Sequence, residues 1–195
     1  HFIVPGGILA VPVSKITKTP IVMTAHGSDV PGYNPDRFGA VHLFIQPMWK
    51  IIINNCDILT SPSGFLRDQI RKKTPKTKIE IVPNGIYPER FDAGQKQKSI
   101  VLCSRLLPRK GFAHLLRAMR HVKSDWQIDI IGHGPSRNEL ERLAEKCSMR
   151  VNFHGWLDQR KPKFVELFKK GSIFVFPSEA ENFPAVLLEA MSASM

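Results

Sequence analysis

The sequence predicts an α/β protein of two doubly wound parallel sheets, and three observations carry that expectation. Short runs rich in β-branched and aromatic residues alternate with segments whose apolar residues recur at helical spacing. Short loops join them, and successive parallel strands need a helix at each crossover. A polar stretch at 92–99 (DAGQKQKS) then interrupts the alternation and separates one set of elements from the next.

In order, the front set reads as a strand at 21–24, a helix over about 41–54, a strand at 58–60, a helix at 63–71 and a strand at 79–82. The rear set reads as strands at 100–103, 127–131, 151–153 and 173–176, with helices at 111–122, 136–147, 161–169 and 184–191. Phe112, Leu115, Leu116, Met119 and Val122 make one apolar face of the first rear helix, and Leu140, Leu143, Ala144 and Cys147 one face of the second. Both faces are core. Domains are therefore expected over 1–92 and 93–195, as two Rossmann-like units, each too short to be complete. The chain starts inside an element and stops at Met195 without a closing strand, so a fragment is expected.

A hydrophobic share of 43% with 23% charged residues is that of an ordinary globular protein. No apolar run reaches the length needed to cross a bilayer. Residues 1–12 (HFIVPGGILAVP) lack a basic start and an initiator Met, and Pro5, Gly6 and Gly7 interrupt them, so they do not read as a signal peptide. The net charge of +11 is spread over both halves and favours anionic partners: nucleotide phosphates, anionic lipid surfaces or nucleic acid. The densest basic run, 71–78 (RKKTPKTK), reads as a helix end and a solvated loop rather than a lipid-contacting patch. Cys56, Cys103 and Cys147 are odd in number and far apart, which suggests neither disulfides nor a zinc site and fits a reducing compartment.

The chemistry-bearing segments fall in strand-to-helix loops. In 177–195 (PSEAENFPAVLLEAMSASM), Glu181 and Glu189 bracket the first turns of a helix that follows a buried strand. With Asn182 as N-cap, the backbone N–H groups of Phe183 and Ala185 are expected to face the crevice where α/β sheets bind anions. At a rise of ~1.5 Å per residue, Glu189 falls on the order of 10 Å beyond Glu181, which suits two grips on one long ligand. Acidic residues near a helix start are also favoured electrostatically without any ligand. In 104–111 (SRLLPRKG), Arg105, Arg109 and Lys110 crowd a loop suited to a diphosphate, or equally to plain solvation. His26, in 25–29 (AHGSD), follows a strand and faces the crevice where ligands bind, although a lone histidine is more often a satisfied structural residue. Gly132 and Gly134 (GHGP) form a glycine loop whose third glycine position is Arg137. The segment 81–86 (IVPNGI) specifies a turn, and Trp156 of 151–156 (VNFHGW) reads as a packing residue.

Taken in order, these segments resemble the retaining glycosyltransferases of family 4, with the two-domain GT-B fold and a glutamate pair with seven residues between. The resemblance implies that Glu189 holds the ribose hydroxyls and Glu181 the donor sugar. The backbone of Phe183, Pro184, Ala185 and Val186 then receives the diphosphate, and Gly134 lies on the donor-binding side. Arg105, Lys110 and Gly111 match the family's Arg and Lys-Gly positions, while Ser104 stands where the family usually has Gly. His26 matches the His-Gly pair of the first domain that reaches the reaction centre, and 151–156 matches the segment beside the base.

So read, His26, Glu181, Arg105 and Lys110 are the catalytic set, in an acceptor-side front domain and a nucleotide-sugar-binding rear domain. The implied reaction moves a hexosyl or related sugar from a nucleotide-diphosphate donor to an acceptor hydroxyl, with retention, no essential metal and no cofactor. The cationic loop and the helix start stabilise the departing diphosphate, and no carboxylate is assigned as nucleophile. The acceptor is a sugar or lipid-linked molecule. Many relatives build surface polysaccharide or glycolipid at the cytoplasmic face of a membrane, and the positive charge permits an anionic membrane surface as a peripheral partner.

Other classes lack parts. The sequence has no DxD motif, no histidine cluster at metal-ligand spacing, no P-loop and no GxSxG elbow. A retaining glycosidase needs its carboxyl groups ~5 to 5.5 Å apart, closer than the helical spacing gives. Two alternatives stay open: an epimerase or hydrolase of the same fold acting on the nucleotide sugar, and a basic nucleic-acid-binding module. Against the second, and against nucleic acid as a partner, the cations sit in loops and do not alternate with exposed aromatics.

Overall fold

The computed structural model describes residues 1–33, 35–92 and 94–195, and of 35–43 the backbone alone. The chain forms two compact units, His1–Asn84 and Gly85–Met195.

The front unit runs α1 (Gly6–Thr17), β1 (Val22–Thr24), α2 (Pro35–Asn54), β2 (Ile58–Ser61), α3 (Gly64–Arg71) and β3 (Ile79–Ile81). Its strands form a parallel sheet in the order β1-β2-β3, with Met23 beside Leu59 and Leu59 beside Ile79. Those three side chains are buried with Trp49, Ile52 and Ile53 of α2 and Leu66 and Ile70 of α3. Ser63 caps α3, its hydroxyl accepting from Leu66 N at 3.1 Å. Helix α1 is absent from the sequence expectation, because Pro5, Gly6, Gly7 and Pro12 read as breakers. Gly7 is what the packing needs: a Cβ there would meet Ile52 Cγ2 at 2.2 Å, so only glycine lets the helix lie against α2.

The rear unit runs β4 (Ser99–Cys103), α4 (Phe112–Met119), β5 (Gln127–Ile131), α5 (Arg137–Ala144), β6 (Arg150–Gly155), α6 (Pro162–Lys170), β7 (Ile173–Phe174) and α7 (Ala185–Ser192). A 3-10 turn at Pro88–Phe91 precedes it, and another, Pro108–Lys110, leads into α4. The four strands are parallel in the order β6-β5-β4-β7. Side chains alternate across the sheet. Ile100, Leu102, Ile128 and Ile130 pack with Phe112, Leu116 and Leu140 of α4 and α5 on one face. Val101 and Ile131 pack with Phe164, Phe168, Ala190 and Ala193 of α6 and α7 on the other. That is the doubly wound arrangement expected. The chain winds from β4 outward to β6 and then returns to β7 on the other side of β4. The strand order therefore reverses at β4, and the crevice beyond its carboxyl end is where such sheets bind ligands.

The division between units falls earlier than the expected 92/93. Phe91 is buried against Phe164 and Phe168, with ring centroids at 6.4 and 5.7 Å, so the turn before the polar stretch belongs to the rear core. The polar stretch itself is a strap on that unit: Gln97 N donates to Lys170 O at 2.8 Å, and Lys96 Nζ donates to the carbonyls of Gly171 and Ala193. Burial lowers the Lys96 pKa. Helix α4 ends at Met119, short of the expected 122, and the strand expected at 173–176 pairs only over Ile173–Phe174.

One buried charge lies within the strands of the rear sheet among the described residues. Asp129 of β5 is 2% exposed, and its carboxylate accepts from Ser99 Oγ at 2.5 Å, Gln127 Nε2 at 2.9 Å and Asn152 Nδ2 at 3.0 Å, with His154 Nε2 at 2.8 Å. Burial works to raise its pKa, but the Ser99, His154 and Asn152 hydrogen bonds outweigh it and hold the group below the ordinary carboxylate value. A depressed carboxylate stabilises the fold above its unfolded-chain pKa, and that stability is lost as pH falls through the folded value. Asp129→Asn should therefore lower stability at neutral pH by on the order of 1–3 kcal/mol. Thermal melts of both proteins across a pH series should show the gap closing below about pH 4.

Candidate functional site

The site is built at the carboxyl end of β4, where two crossing loops leave no room for side chains. Ser104 N donates to Ile131 O at 3.1 Å, Leu106 N to His133 O at 3.0 Å and Ser136 N to Leu106 O at 3.0 Å. Gly132 has φ 145°, and a Cβ there would meet Ser104 O at 1.8 Å; at Gly134 it would meet Leu106 O at 2.4 Å. The close approach these glycines allow is to the neighbouring loop.

Past the crossing, the basic loop meets the loop that leads into α7. Lys110 is buried, its Nζ donating to Glu181 Oε1 and standing 5.5 Å from the centroid of the Phe176 ring. Ser178 Oγ donates to the same Glu181 oxygen at 2.7 Å. The backbones are tied as well, Glu179 N donating to Arg109 O at 3.0 Å. Gly111, with φ 72°, carries the chain under Pro177, whose carbonyl a Cβ would meet at 2.1 Å. Glu181 and Lys110, seventy-one positions apart in sequence, are thus one part-buried ion pair at the crevice.

Helix α7 begins one residue later than expected. Its N-cap is Pro184 rather than Asn182, and Pro184 itself supplies no side-chain cap. Phe183, Pro184, Ala185 and Val186 lie, half-buried, at this helix start. Two turns on, Glu189 is 6% exposed and its Oε2 is buried with no hydrogen-bond partner among the described residues. Burial raises its pKa, and the charge of Arg90 works the other way. The Cys103 thiol is pushed up to about 12, first by burial and then by the Glu189 charge. The carboxylate therefore lies close to both Cys103 and Arg90.

Those two residues line a cleft of about 510 Å3, together with Arg105, Gly132, Trp156 and Arg160. Arg105 is exposed and makes no ion pair among the described residues. Trp156 is 73% exposed, so the expectation that it packs inside is corrected: β6 delivers it to the cleft rim. A groove of about 570 Å3 runs over α6 and 94–97, but it holds none of the strand-end residues and is not the candidate. Sequence reasoning missed Arg90, His133 and 157–160. Arg90 carries no local signal, since only the burial of Phe91 beside it brings it toward Glu189.

His26 belongs to the front unit. Its backbone N–H and that of Gly27 donate to Asp29 Oδ1 at 2.9 Å, while Asp29 Oδ2 accepts from Ile3 N at 2.9 Å. The His26 ring lies 3.1 Å, Nε2 to Nδ1, from His1 and 4.6 Å, between centroids, from Phe2. Gly27 has φ 113° over the Tyr33 ring. Among the described residues, no group of three or more His, Cys, Asp or Glu could hold a metal, and no helix is long and apolar enough to cross a membrane.

A parallel, doubly wound unit with a cationic loop and an acidic pair around its switch point is that of the GT-B fold class. The family model for Glycosyl transferases group 1 matches residues 86–195, and that for Glycosyltransferase Family 4 matches 1–90. The chain belongs to the group 1 glycosyltransferase family. It is 26% identical to a Bacillus subtilis glycosyltransferase assigned to teichuronic acid biosynthesis, over 98% of this chain and 49% of that protein. It is 28% identical to the sulfoquinovosyl transferase SQD2 of Arabidopsis thaliana, over 100% of this chain and 41% of that protein. The chain spans about half the length of the curated relatives it matches. In fold it is similar to Anabaena HepE in complex with UDP, with a TM-score of 0.77 at 17% identity over 96% of this chain and 55% of that one.

A raised carboxyl pKa means that ionisation opposes folding. The cost is absent below the unfolded-chain value of ~4.3, builds as pH rises through the raised folded value, and is complete above it. Glu189→Gln should therefore raise the thermal midpoint at neutral pH by roughly 2–4 °C per kcal/mol relieved. Scanning calorimetry at neutral pH, repeated near pH 4 where the gain should shrink, checks this.

Proposed function

We propose that the whole protein is a retaining, metal-independent glycosyltransferase whose rear unit binds a nucleotide-diphosphate sugar in the cleft at β4. The single observation that carries this reading is Glu189 Oε2, a buried acceptor with no partner among the described residues, beside a cationic cleft. A buried carboxylate oxygen left unsatisfied costs stability and invites a donor, and the vicinal hydroxyls of a ribose are donors of the right kind. HepE was solved with UDP and, separately, with UDP and glucose, which supports the same class of ligand here.

In this reading Arg105 and Lys110 meet the diphosphate, with the backbone of Phe183, Pro184, Ala185 and Val186 at the start of α7. Glu181, set by Lys110 and Ser178, holds the donor sugar. Gly134 shapes the loop crossing beneath. His26 of the front unit is assigned to the transferred sugar by its match to the family's His-Gly pair. As the bond to the leaving diphosphate breaks, negative charge grows on its oxygen, and the cations and helix start stabilise that charge more than the ground state. That oxygen takes the acceptor hydroxyl's proton on the same face. The acceptor belongs to surface polysaccharide or glycolipid synthesis, which the teichuronic acid and sulfoquinovosyl relatives support. The net charge of +11 suits an anionic membrane surface as a peripheral partner at the cytoplasmic face.

Calorimetric titration of the full-length protein with UDP-, GDP- and ADP-sugars tests the assignment. Glu189→Ala and Arg105→Ala should each weaken the preferred donor by roughly 10- to 100-fold, about 1.4 to 2.8 kcal/mol. Unchanged affinity in both variants overturns it.

A further inference from the structure

Strand β6 carries a bulge. Ile130 of β5 faces Phe153 and Ile131 faces Gly155, so His154 is an extra residue in the ladder. Bulges are uncommon between parallel strands; they bend the chain, re-aim the residues after them and concentrate beside sites. Here the residues after the bulge form the cleft wall. Gly155 has φ 69° and its carbonyl accepts from Gly132 N at 2.7 Å, while Trp156 stands at the rim.

The bulged residue is anchored. His154 Nε2 lies 2.8 Å from Asp129 Oδ1, the oxygen that also accepts from Asn152, while Asp129 Oδ2 takes Ser99 and Gln127. One buried carboxylate thus ties three adjacent strands on the face that also carries Cys103 and Ile131, two cleft residues. An apolar side chain at this position would fill a sheet interior without burying a charge. A fully satisfied polar network gives instead one fixed geometry.

We infer that Asp129 and His154 are positioning residues for the cleft: the carboxylate holds the bulge at His154, and through it the Gly155 carbonyl and the Trp156 ring. Neither residue needs to touch the ligand. The inference rests on the reading of the cleft as a nucleotide site.

The test uses the full-length protein, with UDP, GDP and ADP as probes, at a temperature below every unfolding transition. Nucleotide affinity is measured by calorimetry, and the Trp156 fluorescence change by difference from Trp156→Phe. His154→Ala should weaken the tightest nucleotide about tenfold and diminish the Trp156 signal. His154→Gln, which can still donate to Asp129, should keep both near the unmodified values. Should His154→Ala fail to fold, His154→Leu keeps bulk without the hydrogen bond and carries the same expectation. A lowered melting temperature with unchanged affinity and signal assigns the pair a structural role alone and overturns the inference. Absence of nucleotide binding by the unmodified protein overturns the functional reading, and this inference with it.

Discussion

At the carboxyl end of β4 the backbone of one loop passes through the space where another loop's side chains would be. With Gly132 and Gly134 bare of Cβ atoms, Ser104 and Leu106 can dock on the β5 loop through paired backbone hydrogen bonds. That contact sets the height of the segment 104–111 above the sheet. It thereby fixes where Lys110 arrives, and Lys110 in turn fixes Glu181. The orientation of cation and acid at the crevice is therefore a steric consequence of two missing methyl groups, felt several residues away.

The buried charges of the rear unit divide by how they are compensated. Lys110 and Glu181 neutralise each other, and Asp129 is satisfied on both oxygens, so each is close to balanced in place. Glu189 is not balanced. The field of Arg90 partly offsets its burial, one of its oxygens has no donor among the described residues, and its charge helps to raise the Cys103 thiol pKa. Unbalanced burial is characteristic of groups whose partner is a ligand. The contrast separates charges compensated by neighbouring side chains from one that is not.

Much of this was legible in the sequence where periodicity spoke. The rear alternation is plain because each strand is a continuous apolar run and each helix has one apolar face, as at Phe112 and Leu116. Glu181, Lys110 and Glu189 were legible as types at strand ends, but their pairing was not, because an ion pair between residues so distant exists only after β7 docks beside β4. Helix α1 was hidden by residues whose usual meaning is reversed: Gly7 is present for close packing, not for a turn. Trp156 was misread because burial is the common fate of tryptophan, and the bulge that turns it outward leaves only Gly155 as a trace. The unit boundary was misplaced because a polar stretch looks like a linker even when it straps onto a surface.

All three cysteines have pKa values raised first by burial, and Cys103 most of all. A thiol kept protonated is a poor nucleophile toward alkylating agents and peroxides, so the floor of the cleft is chemically quiet. Its silence has a use. Because Cys103 lines the cleft and owes that inertness to burial and to the neighbouring acid, its rate of labelling is a built-in gauge of any change in the cover or charge of the cleft floor.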